Sequence, residues 1–320
     1  MKDNKWLLIP FYSNPESPDY SSTVDKFKDF SINAKNLTGL KLAIVDDGSK
    51  LNPEDFVGFS DRLVQLPQNN GKALAVRYGL KALLEDSTID PGFIIQYDGD
   101  GDQSYIDIPH FITKLQEVTE GDSKNPALLI GDRYSERLVT IPNPDSITYR
   151  QSLLIFLGSL AGQLGFDIKD WVSGARGYTK EYAKKFVERS HSNKYGIEAE
   201  QLVIAYLEGA SVARVPLAFS RPRDPYTEKS KWLQNFDSFL LYRDELDMRG
   251  QGNLVNVVEK LTTNLRNETE EFDIDLVPVR EETTIHFKRQ GTAYSAEIPT
   301  EYRAKIFNGE GSFSLRKEVY

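Results

Sequence analysis

Asp98, Asp100 and Asp102 occupy alternate positions in Asp98-Gly99-Asp100-Gly101-Asp102-Gln103, directly after the apolar run Phe93 to Tyr97. Three carboxylates so spaced repel one another unless a cation or a wide solvent shell lies between them. The chain has no Cys, and the segment has no His, so its donors are oxygen only, the set that suits Mg²⁺ or Mn²⁺. Such an ion can bridge a diphosphate and neutralise the charge that builds on it as a leaving group. An EF-hand calcium loop is the first rival, but its position twelve should be a Glu and, counting from Asp98, it is Pro109. A solvated acidic turn is the second.

Two further acidic clusters could share this chemistry. Asp46-Asp47-Gly48-Ser49 follows the apolar Leu42 to Val45, where an Asp can accept hydrogen bonds from a nucleobase or ribose and Gly48 lets the backbone turn sharply. A plain strand-to-loop turn has the same composition. In Asp167-Ile168-Lys169-Asp170-Trp171-Val172-Ser173-Gly174, a carboxylate beside an aromatic residue could serve as a general base, although a helix-ending acidic loop is the simpler reading. Basic groups complete the set. Lys72 follows Asn70-Gly71 at the opening of a helical pattern, where backbone N–H groups favour an anion. Arg133 follows Gly131-Asp132, and Arg221, Arg223, Lys229 and Lys231 crowd one polar stretch that could close on a diphosphate or be a solvated face.

These groups need a scaffold, and the apolar pattern predicts one. Trp6 to Phe11, Leu42 to Val45, Leu63 to Leu66, Phe93 to Tyr97 and Ala127 to Ile130 read as short buried strands bounded by turn residues. Between them, Val24, Phe27, Phe30 and Ala34 share one helical face, as do Ala75, Tyr78, Gly79, Ala82 and Leu83. Strand and helix alternating in this way predict an α/β fold with a mostly parallel sheet and helices on both faces. In such sheets, functional groups collect at the carboxyl ends of strands where the strand order reverses. Beyond the first half, helices are expected over Ser152 to Leu164, Glu198 to Glu208 and about Asp237 to Asn267. A strand is expected over Val212 to Phe219, a loop over Ser220 to Lys231, and a β-rich tail over Phe272 to Tyr320.

Taken in order, these segments resemble glycosyltransferase family 2 with the GT-A fold, a Rossmann-like nucleotide-diphospho-sugar transferase architecture, and within it the dolichol-phosphate mannosyltransferase-like branch. The matching stretches are Ile9 to Asn14, Val45 to Ser49, Asn69 to Ala73 and the DxD-like Asp98-Gly99-Asp100. Gly131-Asp132-Arg133, Asp170 to Gly174, Glu200 to Val203, and Val215-Pro216-Leu217 leading to Arg221 and Ser230-Lys231 follow. The resemblance spans about residues 5 to 235. It implies a glycosyltransferase domain over 1–235 with a helical linker and β-rich appendage over 236–320. It places Pro10, Tyr12, Asp46, Asp47, Lys72, Asp98, Arg133, Arg221 and Lys231 on the nucleotide and its phosphates, and Asp98 and Asp100 on Mg²⁺ or Mn²⁺. Gln103, Asp170 and Glu200 fall on the sugar and acceptor side, with Asp170 and Asp100 as the catalytic pair. The implied reaction is transfer of a hexosyl group from a UDP- or GDP-sugar to a hydroxyl or phosphate acceptor, polyprenyl phosphate included, with inversion at the anomeric carbon.

Composition narrows the alternatives. A net charge of -9 and a pI near 5.1 argue against a general nucleic-acid binder, which needs clustered cations. With no cysteine, disulfide scaffolds, zinc-thiolate sites and thiol nucleophiles are excluded. Leu153 to Phe166 is shorter than the roughly 20 residues a membrane span needs. No signal-peptide pattern opens the chain, so a cytoplasmic protein is expected, with peripheral contact at the inner membrane face allowed. Two rival functions share many of these residues. A sugar-phosphate nucleotidyltransferase would carry a Gly- and Arg-rich loop where this chain has Phe11-Tyr12-Ser13-Asn14-Pro15. A non-catalytic nucleotide-sugar sensor or scaffold would keep the binding residues alone.

Overall fold

The computed structural model describes residues 4–99, 103–121, 125–132, 158, 160–168, 170–193, 196–217, 229–266, 271–276, 283–288, 294–297 and 314–317. The expected Asp100, Arg133 and Arg221 lie outside them, as do the side chain of Lys231 and most of the helix expected over 152–164.

The chain forms two compact units, residues 1–131 with 173–221, and residues 132–172 with 222–320. The first unit is built on a sheet of seven strands: β1 (Lys5–Phe11), β2 (Lys41–Asp46), β3 (Arg62–Gln65), β4 (Phe93–Gln96), β5 (Ala127–Asp132), β6 (Arg176–Thr179) and β7 (Ser211–Pro216). Their order is β3-β2-β1-β4-β6-β5-β7. β1 pairs in parallel with both β2 and β4, β2 pairs in parallel with β3, and β6 runs antiparallel to both β4 and β5. A mostly parallel, helix-covered sheet of this kind is the α/β fold that the pattern predicted, and it agrees with the architecture that the resemblance implies.

Why the strands read as unbroken apolar runs is now plain. Leu7, Ile9 and Phe11 of β1 and Leu42 and Ile44 of β2 belong to a cluster with Val24, Phe27, Phe30 and Ala34 of α1 (Tyr20–Thr38), and with Ile108, Phe111 and Leu115 of α3 (Ile108–Gly121). Leu8 and Val45 point the other way, onto α2 (Lys72–Leu84). A strand buried on both faces needs apolar residues at every position. Within α2 the buried face is Ala73, Val76, Gly79, Leu80 and Leu83, whereas Tyr78, expected on that face, is about half exposed. Gly79 sets this rotation: a Cβ there would stand 2.5 Å from Leu8 Cδ1 and 2.7 Å from Val45 Cγ2, so the helix packs backbone-first on the sheet.

Two helices complete the first unit, α4 (Lys180–Arg189) and α5 (Ile197–Leu207). α5 is buried along almost its whole circumference, glutamates included.

The second unit includes α6 (Lys229–Leu240), α7 (Arg243–Met248) and α8 (Gly252–Arg266), where one long helical pattern was expected over 237–267. Gly250, at φ 80°, turns the chain between the last two. Lys229 to Lys231, expected in a loop, open α6 instead, the helix that buries Phe236 and Phe239. Arg243 pairs with Glu259 at 2.8 Å, and Arg266 pairs with Asp237. The β-rich tail forms two antiparallel pairs, β8 (Glu271–Leu276) with β9 (Thr283–Lys288), and β10 (Tyr294–Glu297) with β11 (Ser314–Lys317).

Candidate active site

β1 lies between β2 and β4, so consecutive connections leave it in opposite directions and a crevice opens at the carboxyl ends of β1 and β4. That switch point is where open α/β sheets place their ligands. Pro10, Tyr12, Asp46, Asp47 and Asp98 all stand on its rim, at or just past the ends of β1, β2 and β4. Pro10 is buried and its carbonyl accepts from Gly99 N–H at 3.3 Å, while Tyr12 is 46% exposed.

The two aspartates after β2 hold loops. One Asp46 oxygen accepts from Ser49 N–H at 2.7 Å and the other from Leu51 N–H at 2.9 Å, which closes the β2 loop on itself. Asp47 reaches across to the next loop and accepts from Asn70 N–H and Gly71 N–H, both at 2.8 Å. Burial pushes the Asp47 carboxyl above its ordinary value and outweighs the two N–H donors, which pull it down. Gly48, at φ 84°, makes the approach possible, since a Cβ there would lie 2.3 Å from the backbone carbon of Gln68. Ser13 N–H donates to Ser49 Oγ at 2.8 Å, so the ends of β1 and β2 are tied together.

Asp47 thereby fixes the start of α2, whose first turn carries no acidic residue. Lys72 is the first residue of that helix. Its ammonium donates to Asp98 Oδ2 at 2.9 Å and to Glu198 Oε1 at 2.8 Å. Burial pulls the Lys72 ammonium down, but the two carboxylates outweigh it, and the net shift is well upward. The three side chains are unequally open to solvent: Glu198 is 8% exposed, Lys72 15% and Asp98 23%. Glu198 was not singled out in the sequence, yet it belongs to this cluster.

Asp98 rests against bare backbone. A Cβ at Gly174 would fall 1.8 Å from Asp98 Oδ2, so only glycine admits the carboxylate there. Gly174 is itself held by a buried relay. Arg176 Nε donates to Gln201 Oε1 at 3.0 Å, Gln201 Nε2 to Tyr178 Oη at 2.8 Å, Tyr178 Oη to Gln96 Oε1, and Gln96 Nε2 to the Gly174 carbonyl at 3.1 Å. Because β6 is antiparallel to β4, Arg176 lies opposite Gln96 and the residues before it arrive beside Asp98. Gln103 is buried, and its Nε2 makes a long 3.4 Å contact with Ser173 Oγ.

Glu200 and Asp170, also expected at the site, are both buried. Glu200 is fully buried and accepts from Ser190 Oγ at 2.5 Å, His191 N–H at 2.5 Å and Ser192 N–H at 2.9 Å, so it clamps the loop between α4 and α5. Arg77 holds the same loop from the other side through the carbonyl of Ser190 at 2.9 Å. Asp170 is fully buried in the second unit. Among the described residues no group of three or more His, Asp or Glu could hold a metal ion, and Asp100 lies outside them. What is present fits a hard divalent ion: an oxygen donor, partly open to solvent, against a glycine cradle.

No family profile matches the chain. Among curated proteins it is similar to Dolichyl-phosphate beta-glucosyltransferase ALG5C of Trichomonas vaginalis (strain ATCC PRA-98 / G3), 25% identical over 194 residues, which is 58% of this chain and 54% of that protein. What the chain resembles over this stretch is a glycosyltransferase. The chain spans about half the length of that glucosyltransferase. Solved structures that resemble it include glucosyl-3-phosphoglycerate synthase from Mycobacterium tuberculosis with Mn2+, uridine-diphosphate-glucose and phosphoglyceric acid. That chain has a TM-score of 0.48 and 16% identity, over 75% of this chain and 79% of that one. The same synthase with Mn2+, uridine-diphosphate and phosphoglyceric acid gives 0.43 and 15%, over 90% and 88%. Among the described residues of this chain, no helix is long and apolar enough to cross a membrane.

Proposed function

We propose that the chain transfers a hexosyl group, with inversion, from a UDP- or GDP-linked sugar to a hydroxyl or phosphate acceptor. The observation that carries this reading is the meeting of Lys72 and Asp98 at the switch point of the sheet, beside a helix start that Asp47 fixes in place. An ammonium and a helix N-terminus favour the anionic diphosphate. Asp98, with Asp100, is the pair that would hold Mg²⁺ or Mn²⁺, whose contribution when bound is to neutralise the departing diphosphate. Lys72 binds non-bridging diphosphate oxygens, and the exposed Tyr12 flanks the nucleoside. We assign Asp46 and Glu200 to holding loops, since their carboxylate oxygens are filled by loop donors. Gln103 is assigned to the sugar. Through the family resemblance, Arg133, Arg221 and Lys231 are assigned to the phosphates. For a hydroxyl acceptor the base is assigned in the same way to Asp170, whereas a phosphate acceptor is already anionic and needs none. The related dolichyl-phosphate glucosyltransferase makes a polyprenyl phosphate the first acceptor to try.

The test is a thermal-shift screen of nucleoside diphosphates with Mn²⁺ and with EDTA, followed by donor turnover. A bound ligand raises the melting temperature by mass action. The expected result is a Mn²⁺-dependent shift with UDP or GDP, and sugar release that Asp100→Ala abolishes without loss of fold. Binding without any turnover would favour a sensor, and no shift with any nucleotide would refute the reading.

A further inference from the structure

Lys72 has two carboxylate partners where one would neutralise it, and the two differ in exposure and in the element that carries them. Asp98 follows the end of a strand and is the most exposed of the three side chains, so a solute ion reaches it first. Glu198 sits on the buried helix α5 and is nearly inaccessible. That helix is fixed on both sides: Glu200 clamps the preceding loop, and Tyr182 Oη donates to the Gln201 carbonyl at 2.5 Å. One partner is thus open and the other anchored.

We infer that Glu198 is a positioning residue, which holds Lys72 while Lys72 yields Asp98 to a divalent cation and turns its free donors to the donor's diphosphate. The inference rests on the function proposed above. Its physical basis is charge pairing. A buried charge that loses its only partner is strongly destabilised, so a lysine bound to Asp98 alone would resist release. With Glu198 in place, Lys72 and Glu198 remain a neutral pair when the metal takes Asp98, and no partly buried charge is stranded at any stage. The ammonium has three donors on a flexible stem, so it can keep one bond to Glu198 while the others change partner. Glu198 need not touch nucleotide or metal to do this.

The test is Mn²⁺ binding without nucleotide, followed by the EPR signal of free Mn²⁺, in the wild-type chain and in Glu198→Gln, Glu198→Asp, Lys72→Met and the Lys72→Met/Glu198→Gln double variant. Far-UV circular dichroism checks the fold of each. Lys72→Met should bind Mn²⁺ more tightly than wild type, because the competing cation is gone. Glu198→Gln should weaken Mn²⁺ binding by on the order of tenfold when Lys72 is present and hardly at all when it is absent, the signature of coupled neighbours. Glu198→Asp keeps the charge but shortens the reach, so it should weaken binding much as Glu198→Gln does; it also stands in should the glutamine variant fail to fold. An equal effect of Glu198→Gln in both backgrounds, or a wild-type affinity in Glu198→Asp, would overturn the inference and leave only a through-space charge. If the wild-type chain binds UDP or GDP but its Mn²⁺ affinity ignores Glu198, the inference alone fails. If it binds neither Mn²⁺ nor nucleotide, the proposed function fails with it.

Discussion

Replacing Gly174 with Ala adds a methyl group where the structure has no room for one. The new Cβ would sit 1.8 Å from Asp98 Oδ2 and 2.3 Å from Asp98 Cγ. Ordinary contact begins near 3.4 Å, so the carboxylate must retreat by about 1.5 Å or Gly174 must shift against it. The second route is closed, because the Gly174 carbonyl is held by Gln96 at the end of the buried relay. Overpacking of a rigid site costs about 1–3 kcal/mol. Asp98 is 23% exposed and can swing outward, which puts the stability loss at the low end, about 1–2 kcal/mol. Binding should suffer more than stability, since the displaced carboxylate leaves Lys72 and the position from which it would meet a cation. Urea unfolding gives the first quantity, and calorimetric titration of UDP or GDP with Mn²⁺ gives the second, expected to weaken at least about tenfold. Gly92→Ala is the control, because a Cβ there meets only the Asn4 carbonyl at 3.7 Å and should change stability by no more than about 0.5 kcal/mol. Nucleotide binding within twofold of wild type in a folded Gly174→Ala protein would refute the argument that Asp98 works from this cradle.

Glu200→Ala removes the acceptor for Ser190 Oγ and for the N–H groups of His191 and Ser192, and should cost about 3 kcal/mol in urea unfolding; a loss below about 1 kcal/mol would show that the loop finds other partners. Lys72 sets a pH dependence whose sign follows from its raised value. Its stabilising contribution is complete below the ordinary lysine range and is lost only as pH rises through the folded-state value above that range. The stability gap between wild type and Lys72→Met should therefore stay flat from about pH 6 to pH 9, and a gap that closes within that window would contradict the pairing.

The parallel strands β1, β2 and β4 were legible because burial on both faces imposes unbroken apolar runs, and β5, which pairs antiparallel with β6, was legible for the same reason. Asp98 was legible as a carboxylate just past one of them. β6 was not, because Arg176-Gly177-Tyr178-Thr179 shows neither alternation nor an apolar run. Its residues are dictated by neighbours distant in sequence: Gly177 has Phe111, Leu115 and Leu129 against it, and Arg176 and Tyr178 serve the relay. Glu198 was hidden for a similar reason. A helix start often carries glutamates, and only burial of all but one position of α5 reveals that these two must have partners. The available signal was the near-continuous apolar character of Leu202 to Leu207, which marks a helix surrounded by protein and makes any ionisable residue on it suspect. Tyr78 misled through its aromatic ring, since spacing alone cannot say that Gly79 is the residue nearest the sheet.

The antiparallel strand between β4 and β5 also shapes how the protein is made. β4 can pair with β1 as soon as both have left the ribosome, but its other edge waits for β6, some eighty residues later. At about 5–20 residues per second that interval lasts several seconds, during which Phe93-Ile94-Ile95-Gln96 presents open hydrogen-bonding groups on an apolar strand. An uncovered edge of this composition is a template for mispairing, and holding it safe is the task of the chaperones that meet nascent chains. The strand that delivers Asp98 to the crevice is therefore also a stretch that needs protection during synthesis.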